Sequence, residues 1–275
     1  MIKLFSKKGL APLLAGVALA ACQPLGAADS NDDAPRTSSS PAHRFAHVVD
    51  LTHTLDSAFP YIPIPGLTFP FALEPIATLE ANGVAANKWT IHEHLGTQID
   101  APNHFAAGGR ALHELHTDEL IVPVVVIDIR AKAATNPDAV MTADDIHAWE
   151  RQHGRIPDGA CVMMLSGWGA HVGDAKKYIG LDDKNVKHFP GISLEAATFL
   201  VKERNIWGVG VDTVSFDPGL DSEYRTHKLV LGADKWAVEA VANLENIPAR
   251  GATLIVGATK VRGATGGPVR LIAVW

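Results

Sequence analysis

The segment His92-Glu93-His94-Leu95-Gly96-Thr97-Gln98-Ile99-Asp100-Ala101-Pro102-Asn103-His104-Phe105 gathers imidazole, amide and carboxylate groups into one short run. Lys88–His94 before and within it reads as a strand ending at His94, and Gly96 permits a tight reversal. Pro102 keeps Ala101 out of the α region, so the segment cannot continue as a helix. A backbone looped in this way can aim His94, Gln98, Asp100 and His104 inward at one point. Imidazole nitrogen with carboxylate and amide oxygens is a borderline-to-hard donor set, suited to Zn²⁺ or Mn²⁺. Histidines beside aspartates also occur as solvated loop side chains, so spacing by itself leaves both readings open.

Outward from this segment the chain alternates strand and helix signals. Short β-branched runs predict strands at His47–Thr52, Lys88–His94, Val122–Ile129, Ala160–Leu165, Trp207–Val211, Thr253–Ala258 and Leu271–Val274. Helices are predicted over Thr142–Gln152, Ser193–Arg204 and Ala233–Glu245, with Thr142 and Ser193 as N-caps and Pro248 just past the last. Interleaved strands and helices argue for an α/β domain, though strand order does not follow from the pattern. No internal repeat or second low-complexity linker interrupts residues 46–275, which read as one domain.

The chain has 275 residues, 47% of them apolar and 20% charged, the composition of a globular protein. A formal charge of −6 with no basic tract argues against a nucleic-acid partner. Residues 1–21 carry Lys3, Lys7 and Lys8 before an apolar run from Leu10 to Ala21, a secretory leader too short to span a bilayer. Leu19-Ala20-Ala21-Cys22 resembles a bacterial lipoprotein signal. Lipidation of Cys22 would put the protein in the periplasm, on the membrane only through that anchor; plain cleavage, for instance after Ala27, would leave it soluble there. Residues 22–45 are rich in Ser, Asp, Ala and Pro and read as a disordered tether. Cys161, in an apolar stretch, reads as a core residue.

The central segment resembles the signature of the cyclase family of metal-dependent hydrolases, which includes bacterial kynurenine formamidase and isatin hydrolase. That signature runs His-x-Gly-Thr-His-x-Asp-x-Pro-x-His. It is matched here by His94, Gly96, Thr97, Asp100, Pro102 and His104, with Gln98 where the family usually has a histidine. The likeness extends to Val49–His53, Gly210–Asp217, His227, Glu239 and the closing Gly263–Ala273 stretch. It implies a single compact α/β domain in which a β-barrel-like sheet is flanked by helices, the swivelling β/α fold of the family, and a homodimer.

The resemblance also implies metal binding by His94, Gln98 and Asp100, with His104 as general acid/base. In two-metal members the positions of His227 and Glu239 complete a second site bridged by the aspartate. Glu239 lies among Trp236, Ala237, Val238, Ala240, Val241 and Ala242 on the predicted helix, where a buried carboxylate needs a partner. The neutral amide of Gln98 favours oxygen-loving Mn²⁺ over Zn²⁺, and two carboxylates balance one divalent ion better than two. An ion there would lower the pKa of its water toward about 7, and His104 would shuttle the proton to a leaving nitrogen. The expected activity is hydrolysis of a C–N amide or lactam bond in a small, aromatic substrate. A lyase or dehydratase on the same metal site, or an anchored binding protein without turnover, are the alternatives.

Phe59 and Tyr61, in Phe59-Pro60-Tyr61-Ile62-Pro63, match a family segment that packs on aromatic substrates; a Pro-rich surface loop is the plainer reading. His92, His113 and His116 are expected to support the site or face solvent. Gly263–Gly267 leads to Pro268 and a strand rather than a helix N-terminus, which argues against a phosphate cradle. No Gly-x-Ser-x-Gly nucleophile elbow is present.

Overall fold

The sheet closes on its last strand, β12 (Gly266–Val274). In this computed structural model, which describes residues 45–275, β12 bonds two partners along one edge: Gly266–Pro268 pair antiparallel with β4 (Gln98–Asp100), and Ile272–Val274 with β1 (Val48–Asp50). Its other edge pairs antiparallel with β11 (Thr253–Ala258), which continues to β5 (Ile121–Asp128). Parallel pairings then run from β5 through β7 (Cys161–Leu165) and β9 (Gly208–Val211) to β10 (Trp236–Glu239). An antiparallel pairing of β10 with β4 closes a seven-stranded barrel, with β1 as an appendage on β12.

The alternation of side chains along these strands builds two cores. Val124, Val126, Met163, Leu165, Val238 and Leu254 fill the barrel interior. Val125, Ile127, Val162, Met164 and Val209 face outward and are covered by α3 (Ala143–His153), α5 (Leu194–Glu203) and α6 (Arg225–Gly232). Strands covered on both faces need no polar alternation, and all of Cys161–Leu165 is buried. Cys161 sits in that interior as a free thiol, its pKa raised by burial, as its apolar surroundings predict.

Shorter elements fill the connections: the hairpin of β2 (Ala72–Ala77) and β3 (Ala86–Thr90) with α1 (Leu79–Asn82) at its tip, the parallel pair β6 (Val140–Met141) and β8 (Gly191–Ile192), and α2 (Arg130–Ala133) and α4 (Ala175–Ile179).

Two of the predicted helices are present with their caps. Thr142 Oγ1 accepts from Asp145 N while Asp145 Oδ2 accepts from Thr142 N, and Ser193 Oγ accepts from Ala196 N. The third is a correction. Ala233–Glu245 is not a helix: Trp236–Glu239 is the barrel strand β10, and Ala240 and Asn243 then take positive φ values of 50° and 55°. A strand buried on both faces lacks period-2 alternation, so its apolar run mimics a buried helix. Glu239 therefore stands on a strand. The predicted strand Lys88–His94 is corrected as well, because β3 stops at Thr90 and His94 lies in the loop leading to β4. The basic leader, Cys22 and the tether up to residue 44 lie outside the described residues. Among the described residues no helix is long and apolar enough to cross a membrane.

Candidate metal centre and active-site cavity

At one end of the barrel β4 and β10 lie side by side, with Gln98 opposite Glu239 in register. Ile99 points into the barrel core, so its neighbours Gln98 and Asp100 share the opposite face. Gln98 Nε2 donates to Glu239 Oε2 at 2.7 Å, and Phe216 N donates to Glu239 Oε1 at 3.1 Å. His94 arrives through the turn at Gly96, whose φ of 77° is left-handed and suits glycine. Its Nδ1 lies 2.7 Å from Asp100 Oδ1 and its Nε2 3.0 Å from Thr265 Oγ1. Ala101 is extended, as Pro102 demands, and a one-turn 3₁₀ helix over Pro102–His104 places the His104 ring against that of His94. From α6, His227 Nε2 lies 3.4 Å from both Asp100 Oδ2 and Glu239 Oε1.

Two groups of three donors result, His94/Asp100/His104 and Asp100/His227/Glu239, each with its ligand atoms within 4.8 Å of one another. Asp100 belongs to both. It is fully buried, and its Oδ2 has no hydrogen-bond partner.

Proton accounting shows that a cation fits. Asp217 accepts hydrogen bonds from the backbone N–H groups of Thr226 and His227 and from His227 Nδ1. The Nδ1 proton is thereby committed, and His227 Nε2 in a neutral ring presents a lone pair to two carboxylate oxygens. Three acceptors facing one another in a buried space require a positive charge between them. Before any ion binds, a proton answers this need. Burial disfavours charge on His227, but the facing carboxylates of Asp100 and Glu239 and the hydrogen bond to Asp217 outweigh it and hold its pKa well above the ordinary value. Burial would raise Asp100, yet the charge of His94, the approach of His227 and the hydrogen bond from His94 hold its carboxyl far below the usual range. Glu239 is raised by burial and by the nearby Asp100 charge. His104 differs: burial, reinforced by His94 and His227, outweighs Asp100 and pushes it down to about 4, leaving a neutral imidazole at pH 7.

The centre forms part of the lining of a cavity of about 480 Å³, together with Phe59, Tyr61, Ile62, Leu67, Phe105 and Tyr224. Phe59 and Tyr61 thus line the cavity, and the Pro-rich segment is its wall rather than a surface loop. His92 lines it as well, edge-on to Tyr61 and Phe69. His113 instead accepts from Gly263 N, and His116 is exposed; neither lines the cavity. Sequence reading assigned no part to Asp217, Thr265 or Glu93. Asp217 closes the Gly210–Asp217 motif and Glu93 sits between two histidines, but nothing local shows what either would touch.

The model of the Cyclase family ("Putative cyclase") matches residues 49–218. An isatin hydrolase from Roseibium aggregatum is 32% identical over 240 residues, which span 82% of this chain and 90% of that protein. The chain belongs to the cyclase family. A kynurenine formamidase from Bacillus cytotoxicus is 29% identical, over 76% of this chain and 88% of its own. Isatin hydrolase A from Labrenzia aggregata, solved with benzyl benzoate, superposes with a TM-score of 0.78 at 37% identity, over 82% of this chain and 93% of that one. The cyclase-family barrel expected from the sequence is the fold observed. The protein is accordingly a metal-dependent amidohydrolase, acting on C–N bonds with a divalent ion.

Proposed function

We propose that the protein hydrolyses the amide bond of a small aromatic lactam or N-acyl arylamine, with His104 as general acid/base. One observation carries this reading: a neutral, half-buried imidazole stands beside a socket of convergent lone pairs inside an aromatic-walled cavity. The kinship to isatin hydrolase and kynurenine formamidase supports the choice of substrate class. His94 and Asp100, with the amide oxygen of Gln98, would hold the ion; His227 and Glu239 would serve a second one. Asp100 and Glu239 together carry the charge to balance one divalent ion, so a single Mn²⁺ or Zn²⁺ is our reading. A divalent ion in such a site supplies a Lewis acid for the amide carbonyl and lowers the pKa of water toward about 7.

The chain's own groups account for the remaining steps. Phe59, Tyr61 and Phe105 exclude water and offer faces to an aromatic ring. His104, neutral at pH 7, takes a proton from the attacking water and returns it to the leaving nitrogen, a transfer that contributes roughly 10²–10⁴-fold. Asp217 keeps the His227 lone pair aimed at the centre. The lipoprotein-like sequence of residues 1–22 supports a site of action in the cell envelope, with Cys22 as lipid anchor.

The test is turnover of an aryl lactam, an N-formyl arylamine and an aryl ester by chelated and by Mn²⁺- or Zn²⁺-reloaded protein. Amide hydrolysis restored by metal supports the reading. Dehydration or β-elimination without amide cleavage would favour a lyase, and binding without turnover a receptor.

A further inference from the structure

His94 is held from its far side by a two-residue relay that none of the site chemistry above has used. Thr265 Oγ1 lies 3.0 Å from His94 Nε2 and 2.5 Å from Glu93 Oε2, and Thr265 N also donates to Glu93 Oε2 at 2.9 Å. A hydroxyl has one proton, and a carboxylate oxygen can only accept. The Thr265 proton therefore goes to Glu93, and Thr265 Oγ1 must accept from His94 Nε2–H. That fixes the proton on Nε2 and leaves Nδ1, 2.7 Å from Asp100 Oδ1, as the nitrogen whose proton a bound cation would displace.

The backbone enforces the same orientation. A Cβ at Gly266 would stand 2.6 Å from His94 Cε1 and 2.5 Å from Ile99 O, so glycine alone lets the ring lie against β12 beside Thr265. His227 is oriented in a parallel way, by Asp217 directly. Ligating histidines are commonly fixed by such a partner on the other ring nitrogen, and losing it typically weakens metal binding.

We propose that Glu93 and Thr265 are positioning residues that lock His94 in the Nε2–H tautomer and so present Nδ1 to a divalent cation; this rests on the reading of His94 as a metal ligand. In Glu93→Leu no acceptor remains for the Thr265 hydroxyl, whose proton is then free to turn toward His94 Nε2, which favours the opposite tautomer. Thr265→Val removes the acceptor, and Thr265→Ser keeps it.

The experiment measures Zn²⁺ dissociation constants by chelator competition for wild type, Glu93→Leu, Thr265→Val, Thr265→Ser and His94→Ala. Two-bond ¹H–¹⁵N spectra of the histidine rings are recorded on the Zn²⁺-loaded proteins. Glu93→Leu and Thr265→Val should bind Zn²⁺ on the order of 10–100-fold more weakly, Thr265→Ser should match wild type, and wild-type His94 should be protonated at Nε2. Wild-type affinity in either weakened variant, or a His94 ring protonated at Nδ1, overturns the proposal. Glu93→Leu, of similar size, keeps the test open if Thr265→Val does not fold. Full Zn²⁺ retention by His94→Ala would instead overturn the metal-centre reading itself.

Discussion

The His104 ring stacks on that of His94 with centroids 3.8 Å apart and 21° between the planes. One imidazole is committed to Asp100 and Thr265 through both nitrogens, while the other meets its surroundings mainly through its faces. His94 is held like a ligand, and His104 like a group that must exchange a proton.

His104→Ala should accordingly keep bound metal and lose roughly 10²–10⁴-fold in kcat, the usual worth of general acid–base catalysis. Metal analysis beside kcat on an amide substrate checks this. If the variant emerges without metal, His104 is a ligand, as its membership of the first donor group permits.

His94→Ala and Asp100→Ala should each abolish metal retention while the barrel stays folded, shown by an unchanged far-UV spectrum. Asp100 has the wider effect, since its two oxygens face His94 and His227 separately. Undiminished metal content after dialysis would contradict the assignment.

Gln98→His should tighten Zn²⁺ binding, because imidazole is the better nitrogen donor for that ion. Gln98 now donates to Glu239, so the exchange also loosens Glu239 and can recruit a second ion with His227. Zn²⁺ titration with metal counting reads both effects; an unchanged affinity and a stoichiometry of one would contradict them.

Leu200→Ala, in α5 beneath the outer face of the sheet, should cost about 2–5 kcal/mol of stability. Fully buried and remote from the cavity lining, it should leave the Zn²⁺ dissociation constant of the folded protein untouched. Denaturant unfolding and metal titration together separate the two.

Cys22→Ser should release the protein from the membrane into the soluble periplasmic fraction. Cell fractionation checks this, and a wild-type protein already soluble there would exclude the lipid anchor.

Half of the centre is legible in one short stretch of chain. His94, Gly96, Asp100, Pro102 and His104 lie so close along the chain that a left-handed turn and an extended pre-proline residue suffice to converge their side chains. The capped helices were legible for the same local reason. The rest depends on pairings between distant strands. Glu239 reads as a helical residue in the sequence because a strand covered on both faces carries no period-2 signal, and pairing of its strand with β4 and β9 is what makes it extended. Thr265 and Glu93 are 172 residues apart, and Gln98 and Glu239 are 141. The first pair meets where β12 bonds β4 and the second where β10 bonds the other edge of β4, and a contact made by closing a barrel leaves no periodicity in the chain on either side of it.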